Sequence, residues 1–141
     1  MYLLDTNVIS ELRKVKSGKA NKNVQAWSLE VDSQLLYVSS ITIHEIELGI
    51  LMADRSDEVK GQVLRKWMNE HVLPAFEGRI LSVDKQVALV SAGYHVPDPR
   101  PYRDTLIAAT ALVHGMTVIT RNTGDFCLDG LKTLNPWDYI G

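Results

Sequence analysis

Asp5 ends a short apolar run, Tyr2-Leu3-Leu4, close to the amino terminus. Three further acids stand at comparable points along the chain. Glu45 follows a second apolar run, Asp104 precedes the apolar stretch Leu106–His114, and Asp125 follows Thr117–Thr120 in the turn Arg121-Asn122-Thr123-Gly124-Asp125-Phe126. Carboxylates brought together raise one another's pKa, and such a cluster persists when a cation neutralises it. Oxygen donors with no His or Cys grouping suit Mg²⁺ or Mn²⁺ and not zinc. Two such ions about 3.5–4 Å apart activate a water and stabilise the leaving oxygen in an in-line phosphoryl displacement, chemistry that cleaves phosphodiesters.

Each acid also has a structural reading. Asp5 or Asn7 fits an N-cap, Glu45 stands three residues after Thr42 as in a capping box, Asp104 fits the N-cap of its helix, and Asp125 fits a turn former. Taken singly, those readings are the better ones. What favours chemistry is the joint position of all four on one rim, where strands of an open parallel sheet end and the following helices begin. Asp104 reaches that rim only if its helix also starts there.

The elements that must build the rim follow from periodicity. Buried strands are predicted at Tyr2–Leu4, Leu35–Ser39, Arg79–Val83 and Thr117–Thr120, with a short edge strand at Leu131–Leu134. Helices are predicted from Val8 towards Lys14, over Val24–Val31, from His44 to about Ala53 with Ile46, Ile50 and Leu51 inward, and over Asp57–Val72, where Pro74 breaks the pattern. Asp84 caps a helix through about Ala92. Three prolines hold the segment from His95 to Pro101 extended, and Gly115 ends the Leu106–His114 helix. Alternation of short apolar runs with amphipathic ones is the pattern of an α/β domain.

Composition narrows the class. The chain has 141 residues and 45% hydrophobic content, suited to one globular domain over 1–141. The single cysteine, Cys127, cannot form an internal disulfide, and it reads as a small buried apolar residue. With no signal peptide and no apolar run near the ~18–20 residues that span a bilayer, a cytoplasmic protein without membrane contact is expected. The net charge of −2 is unlike that of a basic nucleic-acid binder, but it is polarised. Arg13, Lys14, Lys16, Lys19 and Lys22 form a stretch without an acid, which reads equally as an RNA-tracking surface and as a solvated loop. Arg100, Arg103 and Arg121 flank the acids and could meet phosphates. Arg103 could equally pair with Asp104 or a neighbouring helix. The four histidines are scattered without ligand spacing, and Trp27, Trp67 and Trp137 read as packing residues.

Four segments resemble the PIN-domain family in order. They are Asp5-Thr6-Asn7-Val8-Ile9-Ser10-Glu11, Val38 to Gly49 with Glu45 four places before the glycine, Asp104-Thr105-Leu106-Ile107-Ala108-Ala109, and Val118-Ile119-Thr120-Arg121-Asn122-Thr123-Gly124-Asp125. Any one is weak; together they span most of the chain and are specific. Within the family the likeness is to VapC-type toxins of bacterial toxin–antitoxin pairs, including the FitB-related subgroup.

The resemblance implies a three-layer α/β/α sandwich around a mostly parallel sheet of four to five strands. It implies a catalytic, metal-binding set of Asp5, Glu45, Asp104 and Asp125, supported by Thr6, Asn7, Thr120 and Asn122, with Mg²⁺ or Mn²⁺ as cofactor. Glu47 competes with Glu45, and Asp98 with Asp104, but both fit the pattern less well. The implied function is a metal-dependent endoribonuclease acting on RNA, with a small antitoxin partner and a homodimeric state. The alternative is a non-catalytic RNA- or antitoxin-binding module of the same fold. A haloacid-dehalogenase-like phosphatase needs an Asp where Asn7 stands, and a receiver domain lacks its paired acids, so both fit poorly.

Overall fold

The computed structural model describes residues Met1–Gly141. Five parallel strands, β1 (Tyr2–Leu4), β2 (Leu36–Ser39), β3 (Ile80–Leu81), β4 (Thr117–Ile119) and β5 (Thr133–Leu134), form one sheet in the order β3-β2-β1-β4-β5. The expected edge strand is present as β5, and β3 is shorter than the predicted Arg79–Val83.

The helices are α1 (Thr6–Leu12), α2 (Lys22–Glu30), α3 (Ser40–Ser56), α4 (Glu58–Trp67), α5 (Leu73–Ala75), α6 (Lys85–Gly93) and α7 (Tyr102–His114). Side chains alternate across the strands, so the two sheet faces bury different sets. Leu4, Leu36, Val38 and Ile119 join Val8, Ile9, Trp27, Ile46, Ile50 and Met68 in one core, beneath α1 to α4. Leu3 and Val118 join Ile107, Ala108, Ala111 and Phe126 in the other, against α7. These two cores make the three layers of the α/β/α sandwich.

Chain order runs outward from β1 through β2 to β3, then returns to β4 on the other side of β1. The sheet therefore reverses direction between β1 and β4. Crevices at such reversals, beyond the carboxyl ends of the strands, are where open α/β sheets bind ligands. Asp5 stands at that edge of β1 and Thr120 at that edge of β4, joined by the ladder bond from Asp5 N to Ile119 O (2.9 Å).

Several local expectations need correction. Helix α3 begins at Ser40 and not at His44, because the Ser39 hydroxyl accepts from Ile41 N and caps it (3.0 Å). Thr42 is therefore not a cap. It is fully buried inside the first turn with an unpartnered hydroxyl, and Glu45 moves from the first turn to the second. Leu51 is half exposed instead of inward. Pro74 does not end the fourth helix at once: α4 passes through a π turn, Met68–Val72, and α5 continues one turn further. The wider turn restarts the helix, and proline is tolerated where a helix starts. Asp104 does not cap α7, which starts at Tyr102 with Pro101 in the capping position. Cys127 is exposed.

Helix α4 packs back on α3 through Gly61, and a Cβ there would lie 1.7 Å from Asp54 Oδ1 and 2.9 Å from Asp54 Cα. The second contact is with backbone, so rotating the Asp54 side chain does not relieve it. Gly61→Ala is expected to destabilise the protein by about 1–3 kcal/mol, read as a lower urea midpoint. An unchanged midpoint would mean that α3 and α4 are not held this closely.

Candidate active site

Asp5 is the fixed point of the site. It is buried, with extended backbone, and caps α1 by accepting from Thr6 N through Oδ1 (2.8 Å). Its other oxygen, Oδ2, accepts from the Thr120 hydroxyl (2.8 Å) and from Asn7 Nδ2 (3.3 Å). The capping reading of Asp5 is thus correct and still leaves the carboxylate in the crevice. Thr120 is fully buried, and its oxygen accepts from Asn122 N (3.0 Å). Asn7 accepts from Arg121 N (3.3 Å), which ties the turn after β4 to α1.

Asp5, Glu45 and Asp104 line one cavity of about 420 Å³ with Thr6, Asn7 and Asn122, and its lining contains no hydrophobic residue. Ser10 and Pro101 complete it together with Arg103. Ser10 was missed in the sequence. The signal was its position four residues after Thr6, which puts both on one face of α1. Helix α7 does start at this rim, so Asp104, in its first turn, meets the favourable end of the helix dipole.

Glu45 is engaged at both oxygens. Oε1 accepts from the Thr6 hydroxyl (3.0 Å) and Oε2 from Arg103 (3.2 Å). Arg103 therefore pairs across to α3 and not with Asp104. Glu47 is out of contention for the site, since it is paired with Arg65 of α4 at 2.5 Å, which holds its carboxyl below the usual range. Asp98 and Arg100 line a different cavity, with Asp129.

Asp125 is exposed in a 3₁₀ turn, Thr123–Phe126, and does not line the acid cavity. Its charge still reaches the other acids. Arg121 is also outside the lining, with its guanidinium 5.1 Å from the Trp137 ring centroid. Trp27 is buried edge-on to Tyr2, as expected of a packing residue. His95 has its Nε2 3.0 Å from the Thr105 hydroxyl beside Asp104.

Burial pushes the Asp5 carboxyl above the usual carboxylate range, bonds from Thr120, Thr6 N and Asn7 oppose the shift, and the Asp125 charge adds to it. Burial likewise raises Asp104, reinforced by Asp5, Asp125 and Glu45 and opposed by Arg103. The donors facing the cavity are all oxygens, which matches a hard divalent cation. No three acidic or histidine side chains stand close enough together to hold a metal ion as they are placed, and Glu45 would have to exchange Arg103 for a cation.

The chain matches the PIN domain family over residues 2–127. It is a PIN-domain protein. It is 37% identical over 142 residues to Toxin FitB of Neisseria gonorrhoeae, covering 97% of this chain and 99% of that one. It is 35% identical to the VapC ribonuclease Y4jK of Sinorhizobium fredii, covering 98% and 99%. The solved structure of FitAcB from Neisseria gonorrhoeae superposes with a TM-score of 0.86 at 36% identity, covering 98% of this chain and 99% of that one. No helix of this PIN-domain chain is long and apolar enough to cross a membrane.

Because Asp104 holds its proton more tightly folded than unfolded, stability falls as pH rises from the ordinary carboxylate value of 3.8 through the raised one. In EDTA, the melting temperature of Asp104→Asn relative to the unsubstituted protein is expected to climb over that window. A difference that stays flat with pH would mean that burial and the neighbouring acids do not raise this carboxyl.

Proposed function

We propose that this chain is the toxin of a bacterial toxin–antitoxin pair, a cytoplasmic endoribonuclease dependent on Mg²⁺ or Mn²⁺. It acts as a homodimer whose partner is a small antitoxin. The observation that carries this reading is the raised pair Asp5 and Asp104, facing one all-polar cavity at the sheet's reversal point. Carboxyls raised by burial and by neighbouring charge in one polar cavity are the expected property of a cation site. Two of the relatives are named for a toxin and for a ribonuclease, and both match almost the whole of this chain.

In this reading Asp5, Glu45 and Asp104 are direct ligands, and Asp125 acts through its charge from the edge of the site. When bound, the cation lowers the pKa of its water and offsets charge building on the scissile phosphate. Asp5 is kept from rotating by Thr120, Asn7 and Thr6 N, so it presents a fixed carboxylate. Thr6 orients Glu45 in the same way. Asn122 fixes the Thr120 hydroxyl from the turn after β4. Arg103, released from Glu45, is placed to meet a phosphate oxygen, and its planar donors suit that role. Arg121 and Arg100 lie beyond the cavity and would contact only more distant phosphates.

Cleavage of a labelled total RNA pool in Mg²⁺, Mn²⁺ or EDTA tests this function. Discrete cuts that need the metal are expected, with the rate in Asp5→Asn or Asp104→Asn down by about a hundredfold or more. Full metal-dependent cleavage by a folded Asp5→Asn protein would overturn the ligand role of Asp5. No cleavage of any RNA by the folded unsubstituted protein would favour a binding module over a nuclease.

A further inference from the structure

A second cavity, of about 540 Å³, adjoins the acidic one along α1, α3 and α4. Thr6, Ser10 and Glu45 line both, so the two are continuous. Away from Glu45 the charged residues on its wall are Arg13 and Lys60, both cationic. Arg13 lies with its guanidinium 5.8 Å from the centroid of Trp67, which also faces the cavity. Arg13 belongs to the basic stretch, and its neighbour Lys14 is already paired with Glu11 at 3.2 Å. A volume of this size accommodates a small organic group with one or two polar anchors.

We propose that this groove is a nucleotide subsite, receiving the single-stranded RNA next to the phosphate held at the acids. The proposal rests on the ribonuclease reading and adds to it where the substrate runs. Arg13 and Trp67 give a base a flat surface that is aromatic and charged, the combination that binds single strands without strong sequence preference. Arg13 and Lys60 meet the phosphates that flank the base. An RNA threaded through the acid cavity must leave it, and this exit is polar near the acids, apolar further along and cationic at its edge.

The test uses full-length Asp5→Asn protein and a fluorescein-labelled single-stranded RNA of about a dozen nucleotides, followed by anisotropy across a salt series. Arg13→Ala and Lys60→Ala, added to Asp5→Asn, are each expected to weaken binding about tenfold and to lower the salt slope by about one. Arg13→Lys is expected to keep the salt slope but lose part of the affinity, because it retains the charge without the planar stacking group. Both alanine sites are exposed, and circular dichroism checks that the fold persists. RNA affinity unchanged in both alanine variants overturns the subsite alone. The same follows if these variants lose affinity for an antitoxin but not for RNA. Absence of any RNA binding by both the Asp5→Asn parent and the unsubstituted protein removes the ribonuclease reading together with the subsite.

Discussion

The structure depends on holding one carboxylate, that of Asp5, out of water at the end of the central strand. A buried carboxylate is costly unless its oxygens find partners. Asp5 has three: two are local, Thr6 N at the start of α1 and Asn7 one residue on, and the third, Thr120 at the end of β4, is one the fold must bring from far along the chain. Those bonds do not return the carboxyl to its ordinary range, because desolvation outweighs them. A positive charge at the site would offset the remaining mismatch, which the charge of Asp125 enlarges.

The sheet order explains why the acids meet. Strand β1 is central, and β2 and β4 lie on either side of it, so the elements that follow β1 and β2 and the helix that precedes β4 all present their near ends to one crevice. Ser39 sets the start of α3 and therefore the height of Glu45, while the proline-rich run delivers α7 to the rim with Asp104 in its first turn. Arg103 closes the arrangement by bridging α7 to α3 through Glu45. It thus offsets part of the acidic charge, and its release is coupled to what replaces it.

Much of this was legible in the sequence because the decisive residues sit where two patterns change. Tyr2-Leu3-Leu4-Asp5-Thr6-Asn7 reads as strand, then cap, and the structure uses Asp5 for both the cap and the crevice. Glu45 was read in the right element but one turn early, since Ser39, Ser40 and Thr42 all resemble caps and only packing selects Ser39. The continuation of the fourth helix through Pro74 was hidden, because a π turn leaves no periodic mark in so short a segment. Exposure of Asp125 and Cys127 depends on a 3₁₀ turn whose path is set by Phe126 entering the core beneath α7. The Arg103–Glu45 pair and the groove walled by Arg13 and Trp67 join residues far apart in the chain, and spacing carries no signal for them.

The central claim is that the fold keeps Asp5 and Asp104 desolvated, and Asp104 among like charges, for a divalent cation to relieve. Its most direct test is the melting temperature against Mn²⁺ concentration at neutral pH, for the unsubstituted protein and for an Asp5→Asn, Asp104→Asn double variant. Binding to the folded state alone raises the melting temperature with ligand concentration. A saturable rise in the unsubstituted protein that is absent in the double variant is the predicted result. No rise in the unsubstituted protein, or an equal one in both, would contradict it.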